Sequence, residues 1–70
     1  MIPLVLAPLN EELKIVKIAV NEKEKRYLES LGISINEPIT VLASSGGTVV
    51  CKVKDGRIGL DHNFSTKIFV

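Results

Sequence analysis

The chain has 70 residues, of which 46% are hydrophobic and 4% aromatic, and its formal net charge is +1. This length predicts one small domain, residues 1–70, and the high aliphatic content excludes a disordered chain. Nine basic residues balanced by eight acidic ones give neither the basic footprint of a nucleic-acid binder nor an acidic tail.

The first segment, residues 2–6, predicts a short extended entry that Pro3 confines to a sheet edge or a strand start. The apolar run around it, residues 2–9, contains two prolines and is too short to insert into a bilayer. The start of the chain lacks the basic region of a secretory signal, and a single cysteine cannot form an internal disulfide. We therefore expect a soluble protein of a reducing compartment.

A strand and a helix are predicted next. Residues 13–20 are dense in β-branched side chains and apolar on both faces, which indicates a central strand or one with a second partner. A helix over residues 22–31 follows, with Asn21 as N-cap and Glu24 completing a capping box. Gly32 stands where a left-handed residue ends a helix.

The second half of the chain predicts short strands separated by tight turns. Asn36 suits a left-handed turn, and Gly46-Gly47 and Asp55-Gly56 are hairpin signals. The predicted strands are residues 39–44, 48–54, 57–61 and 67–70, with a turn of helix at 62–66. Five or six short strands and one inserted helix indicate a mainly β fold, a small SH3-like barrel.

Few residues of this sequence suit catalysis or metal binding. Cys51 alternates with two valines, so it is expected to pack in the core as a small hydrophobe. The single histidine, His62, adjoins Asp61, and these two are the weak candidates for a metal site, which normally needs three or four ligands. We expect no enzyme, no catalytic residue and no cofactor. A domain that binds or senses a divalent transition metal such as ferrous iron, through Asp61, His62 and Cys51, is the alternative.

Four segments carry a resemblance to a known family. They are residues 6–9 (LAPL), 26–33 (RYLESLGI), 57–61 (RIGLD) and 67–70 (KIFV). In this order and at this length, the chain resembles the FeoA family, ferrous iron transport protein A, over essentially its whole length. Two departures are Asn36-Glu37, where the family usually has Pro-Gly, and Ser65, where an alanine is common.

The resemblance implies an SH3-like barrel similar to the C-terminal domain of iron-dependent repressors. It also implies a cytoplasmic accessory protein of FeoB, the membrane protein with a cytosolic GTPase domain that imports ferrous iron. Such a protein would lie at the inner face of the membrane through its partner, without inserting into the bilayer.

The sequence supplies more aliphatic side chains than so small a barrel can enclose, and an exposed apolar patch is typical of a partner site. The predicted partner-binding residues are Arg26 and Tyr27 on the helix, with Leu4 and Leu6 in the first segment. Arginine and tyrosine are enriched at interface hot spots. Self-association is left open. A nucleic-acid-binding barrel is the third hypothesis, disfavoured because the central strands carry no aromatic platform for bases.

Overall fold

The structure, a computed structural model, describes residues 1–54 and 56–70 and confirms a mainly β fold with an inserted helix. Within these residues six short strands form two antiparallel sheets. In chain order the elements are a 3₁₀ turn (Leu4–Leu6), β1 (Glu12–Lys14), β2 (Lys17–Ile18), α1 (Glu22–Ser30), β3 (Pro38–Ser45), β4 (Thr48–Val53), β5 (Gly56–Leu60), α2 (His62–Ser65) and β6 (Ile68–Phe69). The hairpin predicted at Asp55-Gly56 falls in part outside the described residues, because Asp55 is not among them.

The strand predicted over residues 13–20 is two strands, and each belongs to a different sheet. β1 pairs with β3, whereas β2 pairs with β6. Ile15 N donates at 3.0 Å to the carbonyl oxygen of Glu37, the residue before β3. The next amide, Val16 N, donates to Phe69 O of the second sheet at 2.8 Å. One continuous strand is thus a wrong prediction, because a run of β-branched residues carries no signal for a change of partner.

The larger sheet has the order β1-β3-β4-β5, and its inner face forms most of the core. β4 alternates as predicted, with Val49, Cys51 and Val53 buried. A bulge between Val41 and Ala43 in β3 shifts the register and leaves Ala43 exposed, although simple alternation predicts it inward. The buried core consists of Leu4, Ile15, Leu28, Ile33, Ile39, Val41, Val49, Cys51, Val53, Leu60 and Ile68.

The first segment forms a 3₁₀ turn where an extended entry is predicted over residues 2–6. Leu6 N donates to Pro3 O (2.9 Å), and Ala7 N donates to Leu4 O (3.0 Å). An extended chain would place Leu4 and Leu6 on the same face. The turn separates them, so that Leu4 is fully buried while Leu6 is 68% exposed.

Helix α1 has the ends that its sequence predicts. Asn21 Oδ1 accepts from Glu24 N (2.8 Å), and Glu24 Oε1 accepts from Asn21 N (3.4 Å), which is a capping box. At the other end Gly32 has φ +91°, and Ile33 N donates to Leu28 O at 2.9 Å. This Schellman ending folds the chain back, so that Ile33 and Leu28 join the same core.

We expect Gly32→Ala to lower the free energy of unfolding by about 1 kcal/mol, through backbone strain at positive φ alone. A Cβ at Gly32 would meet Val53 Cγ2 at 4.0 Å, an ordinary contact, so the steric clash that the left-handed position suggests does not occur. Urea denaturation measures the effect. Gly59→Ala, in β5, is the control, because it has no positive φ and no neighbour within 4 Å among the described residues. Equal losses in the two variants would contradict the strain at Gly32.

Candidate partner-binding site

The short helix α2 contacts both the 3₁₀ turn and α1. In the contact with α1, the ring of Phe64 lies 6.0 Å from the ring of Tyr27, measured between centroids, with the two planes tilted by 31°. Asn63 Nδ2 also donates to Glu24 Oε2 of α1 at 3.3 Å. These contacts bring the first segment and the long helix, distant in sequence, to one end of the fold.

The turn of the β3–β4 hairpin packs against α2 and holds it in place. Gly46 and Gly47 both have positive φ, +57° and +87°, as a two-residue type I′ turn requires. The fully buried Ser65 donates its hydroxyl to Gly47 O at 2.5 Å. The His62 ring packs so closely on Gly47 that a Cβ there would lie 2.7 Å from His62 Cδ2. Ser65 therefore satisfies a hairpin carbonyl at the position where the resemblance leads one to expect alanine.

The two weak metal candidates have structural roles at the start of α2. Asp61 is the N-cap of this helix, and its Oδ1 accepts from Phe64 N at 3.3 Å. His62 covers the hairpin glycine with its ring. In the part of the chain that the structure describes, no group of three or more His, Cys, Asp or Glu side chains is placed to hold a metal ion. Among residues 1–54 and 56–70, the geometry thus brings no further ligand to Asp61 and His62.

Three of the four predicted partner residues are accessible, and all three lie on elements that contact α2. Tyr27 is 54% exposed, although its ring is held against Phe64, and its neighbour Arg26 is exposed. Leu6 is 68% exposed and lies on the 3₁₀ turn, which contacts α2. We call Leu6, Arg26, Tyr27 and Phe64 the α2 patch.

The prediction that Leu4 belongs to the partner surface is wrong. It has no exposed surface and belongs to the core, because the 3₁₀ turn points it inward. Phe64, by contrast, is a member of the patch that sequence reasoning missed. Its contact with Tyr27 joins residues far apart in the chain, and no local pattern signals it.

Cys51 lies in the core between the two buried valines of β4, as predicted. Desolvation by burial raises the pKa of its thiol from the ordinary value of 9.0 to about 11. The thiol is therefore protonated at neutral pH and is a poor nucleophile and a poor metal ligand there.

The raised pKa of Cys51 predicts a loss of stability at high pH. Between pH 9 and pH 11 the thiol ionises in the unfolded chain but stays protonated in the fold, so the free energy of unfolding falls as pH rises. The loss that Cys51 contributes is about 2 kcal/mol over this range. Urea denaturation of the wild type and of Cys51→Val at a series of pH values isolates this contribution, because the two proteins differ only at this thiol. Parallel pH profiles would contradict it.

Comparison of the structure with solved structures shows which fold this chain has. The chain superposes on a manganese-dependent transcriptional repressor with a TM-score of 0.86 at 21% identity, over 97% of this chain and 39% of the repressor. It therefore has the fold of a domain that makes up about two fifths of that repressor. A crystal structure of FeoA, an iron uptake regulatory protein, superposes with a TM-score of 0.81 at 21% identity, over 96% of this chain and 89% of that one.

The chain belongs to the FeoA family, because the model of the FeoA domain matches residues 2–70. A sequence comparison with curated proteins finds no match. Within the described residues, no helix has both the length and the apolar character needed to cross a membrane.

Proposed function

We propose that this chain is an accessory protein of ferrous iron uptake, which docks through the α2 patch on a FeoB-like membrane transporter and modulates its activity. Membership of the FeoA family supports the role in iron uptake. The observation that carries the docking site is an exposed tyrosine, arginine and leucine held around one short helix. The protein acts by binding, at the cytoplasmic face of the membrane, and it associates with the membrane through its partner.

The α2 patch suits docking because its side chains are positioned before a partner arrives. Tyr27 rests on Phe64, and Leu6 stands on a turn that the buried Leu4 anchors. Preorganised side chains lose little conformational entropy on association, so more of the contact energy remains as affinity. Tyrosine and arginine are also the residue types that dominate interface hot spots.

A pull-down from membranes that contain the transporter tests the partner. The wild-type protein as bait is expected to recover the transporter, and Leu6→Ser combined with Tyr27→Ser is expected to abolish recovery. Ile35→Ser is the matched control, because Ile35 is an apolar side chain 44% exposed outside the α2 patch. Clean failure of the folded wild-type bait would contradict the proposal, and so would recovery by the double variant.

Arg26→Ala is expected to weaken association without destabilising the fold. The loss of affinity is about tenfold, as for a hot-spot residue of moderate size. The melting temperature is expected to change by less than about 4 °C, because Arg26 is exposed and surface substitutions cost little.

Titration of the labelled protein onto the reconstituted transporter measures the affinity of Arg26→Ala, and a thermal melt measures its stability. Lys14→Ala, on β1, is the control for loss of one exposed positive charge. A drop of many degrees in Arg26→Ala would make Arg26 structural, and unchanged binding would remove it from the site.

A further inference from the structure

β5 offers an open sheet edge. It is the last strand of the order β1-β3-β4-β5 and pairs with β4 in one unbroken register. Its other edge faces no strand among residues 1–54 and 56–70. Unpaired N–H and C=O groups on such an edge are a template for a further strand. Gly56, Arg57 and Gly59 are exposed and Ile58 is half-buried, so the edge is accessible over most of its length.

Proteins usually protect such an edge with a proline, a bulge or a covering element. β5 contains no proline, and its register with β4 shows no shift. α2 contacts β5, but Leu60 is the only buried residue of β5, so α2 does not cover the rest of the strand. The charge on Arg57 is the one protective feature of this strand.

That charge is placed where it costs stability. Arg57 stands directly opposite Lys52 of β4, and like charges in a cross-strand pair repel. Thr40 comes next in the same row, and Glu12 lies beyond it. Glu12 is thus on a strand two spacings from β4, so its backbone is about 10 Å from that of Lys52. The two cations therefore lie together at the open side of the sheet.

A groove beside Lys52 lies over β1, β3 and β4, on the side of β4 away from β5. It has a volume of about 160 Å³, and its charged lining residues are Lys52, Lys54 and Glu12. An anionic group on a strand added to β5 would lie directly opposite Arg57 and offset its repulsion with Lys52. The charge pattern therefore favours an acidic occupant of the edge.

We propose that an extended acidic segment of a partner protein adds to the free edge of β5 as a fifth strand of this sheet. Side chains alternate between the faces of a strand. The residue of the segment that lies opposite Arg57 is on the outer face, with its Cβ about 5 Å from the Cβ of Arg57. A carboxylate side chain at this position would therefore lie beside the guanidinium. The next residue faces inward and covers the half-exposed Ile58, so it is apolar.

A second copy of this chain fits the same edge less well. Pairing of β5 with β5 would bring a second Arg57, with its own Lys52, to the outer face of one sheet. Four cations would then lie together, and like charges on neighbouring strands repel. The inference goes beyond docking at the α2 patch and does not depend on the transporter being the partner.

Fluorescence anisotropy with a synthetic peptide tests the inference. The probe is the blocked, labelled heptapeptide Thr-Glu-Val-Glu-Val-Glu-Thr, and its counterpart has Lys in place of each Glu. We expect the Glu peptide to bind at least about tenfold more tightly than the Lys peptide, and rising salt to weaken it. Equal binding of the two peptides, or no saturable binding of the Glu peptide at millimolar concentration, would overturn the proposal.

Charge variants of the protein locate the site. Arg57→Glu is expected to weaken the Glu peptide by about tenfold or more, and Lys14→Glu, on the opposite edge strand, by less than about twofold. Arg57→Glu places an opposite charge beside Lys52, so the fold is expected to tolerate it. A urea midpoint equal to or above that of the wild type checks this. Equal weakening by both variants would overturn the location.

Backbone methylation of the peptide distinguishes strand addition from simple charge attraction. Two further Glu peptides carry N-methyl groups on alternate residues, one on the odd and one on the even positions. Only one edge of an added strand faces β5, so one of the two is expected to lose binding and the other to keep it. Full binding by both would overturn strand addition. Tighter binding of an anionic lipid vesicle or of a single-stranded oligonucleotide than of the Glu peptide would overturn the choice of a protein partner.

Discussion

Gly47→Ala is expected to destabilise the protein by about 3 kcal/mol, of which backbone strain at positive φ and overpacking each supply a part. Gly47 has φ +87°, and a Cβ there would lie 2.7 Å from His62 Cδ2 and 3.0 Å from His62 Cβ. Rotation of the exposed His62 ring relieves part of this overlap, but the contact with His62 Cβ also pushes α2 from the hairpin and strains the hydrogen bond from Ser65 to Gly47 O. In a domain of this size the melting temperature should fall by about 12 °C or more.

Two controls separate the contributions at Gly47. Gly46→Ala has the same strain problem at φ +57° but no neighbour within 4 Å among the described residues, so it should cost only about 1 kcal/mol. His62→Ala, introduced together with Gly47→Ala, removes the ring and should recover part of the lost stability. Equal losses for Gly46→Ala and Gly47→Ala would show that the His62 contact does not set the cost.

Leu4→Ala is expected to lower the free energy of unfolding by about 2–5 kcal/mol, the usual cost of truncating a fully buried leucine. Leu4 has no exposed surface and lies in the core with Ile68 and Val49. The 3₁₀ turn that holds it also carries Leu6, so the same variant should loosen one side of the α2 patch. Chemical denaturation monitored by far-UV circular dichroism measures the loss.

Leu6→Ala, only two positions away, is the matched control. Leu6 is 68% exposed, so its truncation should change stability by less than about 0.5 kcal/mol. The stabilities of Leu4→Ala and Leu6→Ala therefore show which of the two side chains in this three-residue turn is buried and which is free to dock. A small loss for Leu4→Ala, or a large one for Leu6→Ala, would show that the turn does not separate the two side chains.

Features that local conformation decides could be predicted from the sequence. The capping box at Asn21 and Glu24, the left-handed Gly32 and the left-handed Asn36 at φ +73° all occur as predicted. Each depends on a few neighbouring residues and on which side chains tolerate positive φ. The strict alternation of β4 follows in the same way from its sequence.

Features that depend on distant partners could not be predicted. The chain changes sheet between Ile15 and Val16 because Glu37 and Phe69 accept their amides, and nothing near residue 15 announces either acceptor. The same holds for the contact of Tyr27 with Phe64, which gives the α2 patch its second aromatic ring. The individual docking candidates are recognisable by residue type, whereas their arrangement around α2 is a property of the fold.

Site-specific photo-crosslinking in membranes tests the central claim, that the α2 patch docks on the transporter, most directly. A benzophenone amino acid replaces Tyr27, 54% exposed, in one sample and Ile35, 44% exposed, in the other. We predict a crosslink to the cytosolic part of the transporter from position 27 and none from position 35. A crosslink from position 35 alone, or from neither position with both proteins folded, would contradict docking through the α2 patch.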